Sequence, residues 1–264
     1  LEITKKNGIG PALQSSLKFF YSNSIREYYE KIAYKRQISN LSKNTKNTIH
    51  IDYNSSENKF TELCDKYGTD KGELTPNSNP YPWGSHNYSD LYNILFNQRR
   101  ESVERLIECG IGTNNTDVPS NMTEQGKPGA SLRVWRDYFP NAEVIGLDID
   151  EEAMFSEERI ETYCVDQTSE KSIKQFLNNS QVNECDIIVD DGLHEYQANI
   201  TLFENLKHHL SEDGVYIIED VTYQNMEKYR EYFIDNLESH QSKFIGFENP
   251  QRNKRDWIIM ITKE

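Results

Sequence analysis

Five short apolar runs, each closing on an acid and alternating with helix-like stretches, constrain this chain more than any other feature. The runs at 103–108, 143–148, 160–166, 185–190 and 214–220 end at Glu108, Asp148, Asp166, Asp190 and the pair Glu219-Asp220. Between them come apolar stripes at helical spacing, such as Leu132, Trp135, Tyr138 and Phe139, or Tyr196, Ile200, Phe203 and Leu206. Strands that alternate with helices in this way predict a mainly parallel sheet with right-handed crossovers. The last two runs, 243–247 and 256–261, are separated only by the turn-like Asn249-Pro250-Gln251-Arg252-Asn253, which predicts a closing hairpin. The expected fold is therefore α/β and doubly wound, a mainly parallel seven-stranded sheet with an antiparallel C-terminal hairpin.

The first run passes directly into Glu108-Cys109-Gly110-Ile111-Gly112. Glycines at this spacing after a buried strand let the backbone approach a nucleotide-like ligand. A dinucleotide fingerprint wants a third glycine and an immediate helix, but here Asn114 and a polar insertion over 113–130 follow. That insertion closes at Gly129-Ala130-Ser131, with Ser131 placed to cap the next helix, and its length marks it as functional or mobile. Asp148, at the tip of the next strand, can accept both hydroxyls of a ribose, a geometry shared by proteins that bind NAD and S-adenosylmethionine (SAM). Asp166 and Gln167, at the third tip, stand where an adenine ring commonly lies.

Composition narrows the class. A chain of 264 residues suits one α/β domain with an appendage. No apolar run approaches the ~18 residues that span a bilayer, and a formal charge of -14 argues against nucleic acid as the main partner. Residues 1–50 nevertheless carry nine Lys/Arg against three acids. Within them Leu13, Leu17, Phe20, Ile25, Tyr28, Tyr29 and Ile32 recur at roughly helical spacing. We expect a helical arm and a polar linker over 1–58, the linker starting near residue 38, followed by the main domain over 59–264. The arm would pack on a second subunit, on an acidic glycan or on its own domain. Without a basic, apolar, small-residue leader, and with four cysteines lacking any Cys-x-x-Cys pair, a cytoplasmic protein with reduced thiols is expected.

Taken together the motifs resemble those of class I SAM-dependent methyltransferases. More narrowly, the chain is similar to the metal-dependent sugar O-methyltransferases of the macrolide-tailoring type. The matching pieces are Lys66-Tyr67-Gly68-Thr69-Asp70-Lys71 with His86-x-Tyr88, Gly110-Ile111-Gly112 followed by Gly129-Ala130-Ser131-Leu132-Arg133-x-Trp135, Gly146-Leu147-Asp148-Ile149, Asp190-Asp191-Gly192-x-His194, and Ile218-Glu219-Asp220. They run from about residue 60 to 225. Leu193 departs from the small polar residue often found there, and residues 1–58 match nothing in the family.

The resemblance implies SAM as methyl donor, with Glu108 facing its cationic methionine end. Gly110, Gly112, Asn114 and Ser131 would lie near the amino-acid portion, Asp148 on the ribose, and Asp166, Gln167 and Asp190 beyond. It also implies Mg²⁺ or a similar ion held by Asp191, Glu219 and Asp220, with His194 as the base beside Asp191. Converging carboxylates repel unless a cation sits among them, and all-oxygen ligands suit a hard ion. Glu219 and Asp220 are consecutive, however, and in a regular strand would point to opposite faces. Both can be ligands only if the chain has already turned. The implied acceptor is a sugar hydroxyl, on a nucleotide-activated sugar or a surface polysaccharide, with the enzyme a homo-oligomer. A small phenolic or catechol-like acceptor, or an NAD-binding oxidoreductase, would use much of the same sequence.

Overall fold

The computed structural model describes residues 47–51, 58–73, 79–235, 237, 239–247 and 256–264. The expected N-terminal helices, most of the expected linker and the turn at 249–253 lie outside the described residues. In chain order the elements are β1 (Thr48–Ile51), α1 (Lys59–Tyr67), α2 (Ser89–Phe96), β2 (Arg105–Cys109), α3 (Ala130–Tyr138), β3 (Glu143–Asp148), β4 (Ser156–Glu157), β5 (Ile160–Cys164), α4 (Glu170–Ser180), β6 (Cys185–Asp190), α5 (Tyr196–Leu206), β7 (Leu210–Ile218), α6 (Met226–Arg230), β8 (His240–Phe247) and β9 (Asp256–Lys263).

Among the described residues one sheet takes all nine strands, in the order β1-β8-β9-β7-β6-β2-β3-β5-β4. The five acid-tipped strands are parallel to one another, as expected, and the three central ones, β2, β3 and β6, are buried along nearly their whole length. β9 lies antiparallel between β7 and β8, so the chain closes on a hairpin and not on another crossover unit. The order reverses at β2, whose partners are β3 on one side and β6 on the other. Ligands of open α/β sheets bind beyond the strand ends at such a switch point. The count exceeds the expected seven because of two short edge strands. β1 pairs parallel with β8 from within the stretch read as linker, and β4 is a two-residue flap on β5.

The helices ahead of the first core strand are fixed by aromatic packing. Asn58 caps α1, its side chain accepting from the amides of Phe60 and Thr61 at 3.0 Å each, and Gly68 ends the helix in the left-handed region. Phe60 then meets Trp135 and Tyr138 of α3 at centroid distances of 4.8 and 5.0 Å, while Tyr92 of α2 meets Trp135 at 4.9 Å. Rings at these separations add to the burial term. They anchor α1 and α2 against α3. Ser131 does not cap α3: Gly129 holds the cap position at φ +70°, and the Ser131 hydroxyl donates instead to the buried Glu108 carboxylate at 2.6 Å. Among the described residues no helix is long and apolar enough to cross a membrane.

Candidate active site

A cavity of about 540 Å³ opens over the carboxyl ends of the five parallel strands, a size that suits a small-molecule ligand. Gly110 shapes its floor. At φ +88° it turns the chain so tightly over the tip of β6 that a Cβ there would collide with the Asp191 carbonyl. Asp191 N in turn donates to Cys109 O at 2.8 Å, which locks the two tips together. Toward the β5 side the cavity is lined by Gly112, Asp148 and Gln167. Asp148 is held by the amides of Ile111 and Asp150 at 3.0 and 3.1 Å. Burial pushes its carboxyl up, and those amides pull it back. The insertion after Gly112 folds across the same space, contributing residues 118–122 to the lining, with the Met122 thioether against Gly112.

Toward β7 the site is a charged cluster. The Lys71 ammonium, only 3% exposed, is 2.6 Å from Asp191 Oδ2 and 3.3 Å from Glu108 Oε1, and also pairs with Glu219. Burial alone would discharge it, but Asp191, Glu219 and Glu108 outweigh that penalty and hold its pKa well above the ordinary lysine value. The Tyr92 hydroxyl donates to the other Glu219 oxygen. The imidazole of His86 forms a second centre, with Nδ1 3.0 Å from Asp220 Oδ1, Nε2 3.4 Å from Asp70 Oδ2, and Asp256 at 3.7 Å. Burial opposes its charge, yet Asp220 and Asp70 raise its pKa well above the usual histidine value. Asp220 is correspondingly held well below the carboxylate range, against the effect of burial, by His86 and by the Tyr88 hydroxyl at 2.6 Å.

Asp191, His194 and Asp220 each offer one ligand atom within 4.8 Å of the others. Two of the three hold strained backbone, His194 at φ +58° and Asp220 at φ +51°; such conformations persist where the surroundings over-determine them, and they concentrate at functional sites. His194 Nδ1 is buried without a hydrogen-bond partner. Six carboxylates thus gather around the two cations Lys71 and His86, leaving acid in excess beside an unsatisfied imidazole nitrogen. That donor set fits a divalent cation.

No profile of a known protein family matches the chain. It is 31% identical over 139 residues to an 8-demethyl-8-α-L-rhamnosyl tetracenomycin-C 2′-O-methyltransferase of Streptomyces olivaceus, a match covering 53% of this chain and 34% of that protein. It is also 31% identical over 159 residues to the demethylmacrocin O-methyltransferase of Streptomyces fradiae, covering 60% and 38% respectively. The chain therefore spans little more than a third of the length of these curated relatives. Among solved structures, MycE methyltransferase from the mycinamycin biosynthetic pathway, in complex with Mg, SAH and mycinamycin VI, superposes with a TM-score of 0.56 at 22% identity, covering 79% of this chain and 55% of that one. The fold is that of the class I methyltransferases.

On this methyltransferase fold the expected site residues separate into two groups. Gly110, Gly112, Ser131, Asp148, Asp166, Gln167, Asp191, His194, Glu219 and Asp220 all line the cavity. Glu108, Asn114 and Asp190 do not. Glu108 is wholly buried beneath it, between Lys71 and Ser131, and Asn114 turns outward to tie the insertion to Gly126 O at 3.1 Å. Asp190 accepts from Gln167 Nε2 at 2.7 Å and Asn199 Nδ2 at 2.9 Å, a network that positions the strand tips. The chain does turn at Asp220, as two adjacent acids at one site require, but Glu219 is taken up by Lys71 and Tyr92 while Asp220 meets Asp191 and His194. In the sequence Lys71, His86 and Tyr88 are motif letters with no role of their own, and neither Tyr92 nor Trp83 stands out. The one available signal was Lys71 itself, a lysine in a motif destined for a site crowded with acids.

Proposed function

We propose that this chain transfers a methyl group from SAM to a hydroxyl of a sugar, with a divalent ion assisting. The observation that carries the reading is the convergence of Asp191, His194 and Asp220 in the same cavity as the Gly110 turn and Asp148. The likeness to O-methyltransferases that act on sugars attached to polyketides supports the acceptor class. SAM would lie across the tips of β2, β3 and β5, with Asp148 on the ribose hydroxyls and Gln167 bordering the adenine. Glu108, sealed below Gly110, acts through Lys71 and Ser131 and does not itself touch the cofactor.

Asp191 and Asp220 would hold the ion, and Glu219 stays with Lys71 and Tyr92. When bound, such an ion supplies a Lewis acid that makes a sugar hydroxyl easier to ionise. The chain's own residues do the rest. His194, at the rim of the same cluster, takes the acceptor's proton, and His86 and Tyr88 hold Asp220 in place for the task. The insertion over Gly112 excludes water from the space between donor and acceptor.

The test is methyl transfer from labelled SAM to a panel of nucleotide-sugars, polysaccharide fragments, methyl glycosides and catechol, with and without EDTA, alongside calorimetric titration with SAM and NAD. Label in a glycoside or nucleotide-sugar, lost in EDTA, supports the reading. Label confined to catechol would move the acceptor class, and binding of NAD without SAM would overturn the proposal.

A further inference from the structure

We infer that Trp83, backed by Tyr81, is the platform on which the acceptor's sugar ring stacks; the inference rests on the methyl-transfer reading above. The two rings lie on the loop between α1 and α2, stacked on each other at 5.3 Å and 19°. Both line the cavity, Tyr81 buried and Trp83 half-buried. Each is pinned at its polar end. Tyr81 Oη donates to Gly68 O at 2.9 Å and Trp83 Nε1 donates to Asp70 Oδ2 at 2.6 Å. An Asx turn at Asn79, which accepts from Tyr81 N at 2.9 Å and donates to Trp83 O at 2.6 Å, holds the backbone between them. A pair fixed in this way offers a large apolar face with little conformational entropy left to lose on binding.

Its position selects the ligand. Trp83 is joined through Asp70 and His86 to Asp220, at the tip of β7. The expected adenine position at Asp166 follows β5, which the sheet order sets four strand spacings from β7, or roughly 19 Å, although the Gln167 side chain reaches back from there to the tip of β6. The aromatic pair is therefore on the proton-transfer side of the cavity and not on the adenine side. There Asp70 touches it directly, and Asp220 lies one imidazole further on. A pyranoside satisfies both surfaces at once, because one face of the ring presents polarised C–H groups to the negative face of an indole while its hydroxyls reach the acids at the rim. A planar phenol would stack equally well but bring only its edge oxygens to that rim.

Saturation-transfer difference NMR on the full chain with SAH and Mg²⁺, using methyl α-L-rhamnopyranoside as probe, tests this without requiring turnover. In the wild type the C–H protons of one ring face are expected to receive saturation preferentially. Trp83→Ala and Trp83→Leu, the second filling space without a ring, are expected to weaken the glycoside about tenfold or more, whereas Trp83→Phe keeps most of the binding. SAH affinity measured by calorimetry should be the same in all four proteins, which shows that each is folded. Equal glycoside binding in the wild type and in whichever ring-less variant retains SAH, or no saturation in the wild type, would overturn the platform. Parallel assays of methyl transfer separate the two claims. A glycoside held through Trp83 yet never methylated sinks the reaction and leaves the platform, while a glycoside methylated with unchanged KM by Trp83→Leu sinks the platform alone.

Discussion

Lys71 Nζ lies 2.6 Å from Asp191 Oδ2, so that a loop preceding the first core strand is bound to the tip of the fourth. The same ammonium reaches Glu108 on β2 and Glu219 at the end of β7. Three strand tips are thus held by one buried cation. Its removal leaves carboxylates facing one another with little water to screen them, and breaking buried pairs of this kind costs about 3–5 kcal/mol. Lys71→Met is expected to lose stability on that scale in urea unfolding, with Lys71→Arg intermediate because the planar guanidinium cannot meet three acids from a point. A loss below about 1 kcal/mol for Lys71→Met would show that the cluster does not depend on this charge.

The metal set can be read directly from binding. Asp191→Asn and Asp220→Asn are expected to weaken Mn²⁺, followed by electron paramagnetic resonance, by about tenfold or more, the usual scale for removing a charged ligand or its close support. Glu219→Gln is expected to disturb stability more than metal affinity, since its oxygens already face Lys71 and Tyr92. If Glu219→Gln abolishes Mn²⁺ binding while the protein stays folded, Glu219 is a ligand and the Lys71 pair must open when the ion arrives.

How far the sequence disclosed this arrangement depends on the range of the interaction concerned. The alternation of apolar runs and helical stripes is local, and it carries the parallel strands and the antiparallel β9, whereas the place where the strand order reverses, β2, is set by pairing that no local pattern shows. Acids at strand ends marked the cavity for the same reason, since a parallel strand must deliver its last residue to the switch point. What stayed hidden are contacts across 120 or more residues, such as Lys71 to Asp191 and Tyr92 to Glu219. Nothing in a linear pattern says which of two adjacent acids a distant lysine will claim. The sequence warned that Glu219 and Asp220 would point apart unless the chain turned. The turn occurs at Asp220, and the partners then divide the pair. β1 was overlooked because four residues in a polar stretch carry too little periodicity to register.

Gly110→Ala tests whether the floor of the cavity is as tight as it looks. The position combines φ +88° with no room for a Cβ under the Asp191 carbonyl, so the substitution must either strain the turn or displace the loop that carries Asp191 and His194. A strained left-handed residue costs on the order of 1–3 kcal/mol. We expect a destabilised protein whose SAM and Mn²⁺ affinities fall together. SAM binding that is lost while metal binding is untouched would mean that the two tips move independently.

The acid side of the stability curve should carry a mark from Asp137. Burial would raise its carboxyl, but hydrogen bonds from Tyr67 at 2.5 Å, Lys66 at 2.9 Å and Arg136 at 2.9 Å outweigh this and lower it from 3.8 to about 2. A depressed carboxyl contributes stability that is fully present above its unfolded value, near 4, and is lost as the pH falls through about 2. The group is partly exposed, so solvent screening reduces the contribution to on the order of 1 kcal/mol. Asp137→Asn is expected to be less stable than the wild type at pH 5, with the difference shrinking by pH 2. A constant difference across that range, measured by urea midpoints, would assign its effect to packing.

His194 is where the proposed chemistry stands or falls. A sugar hydroxyl is far too weak an acid to ionise unaided at neutral pH, so its proton needs an acceptor close to the point of attack. His194 is the member of the converging trio left to take that proton, since Asp191 is engaged by Lys71 and Asp220 by His86 and Tyr88. Its Nδ1 is buried without a partner, and its backbone is held at φ +58° to keep the ring at the rim. General base catalysis typically contributes ~10²–10⁴-fold, and His194→Ala is expected to lose about that much turnover while SAM and Mn²⁺ bind as before. Were Mn²⁺ lost together with turnover, His194 would be a ligand and the proton acceptor would have to be sought elsewhere. Were turnover unchanged, the acceptor's proton would leave by another route.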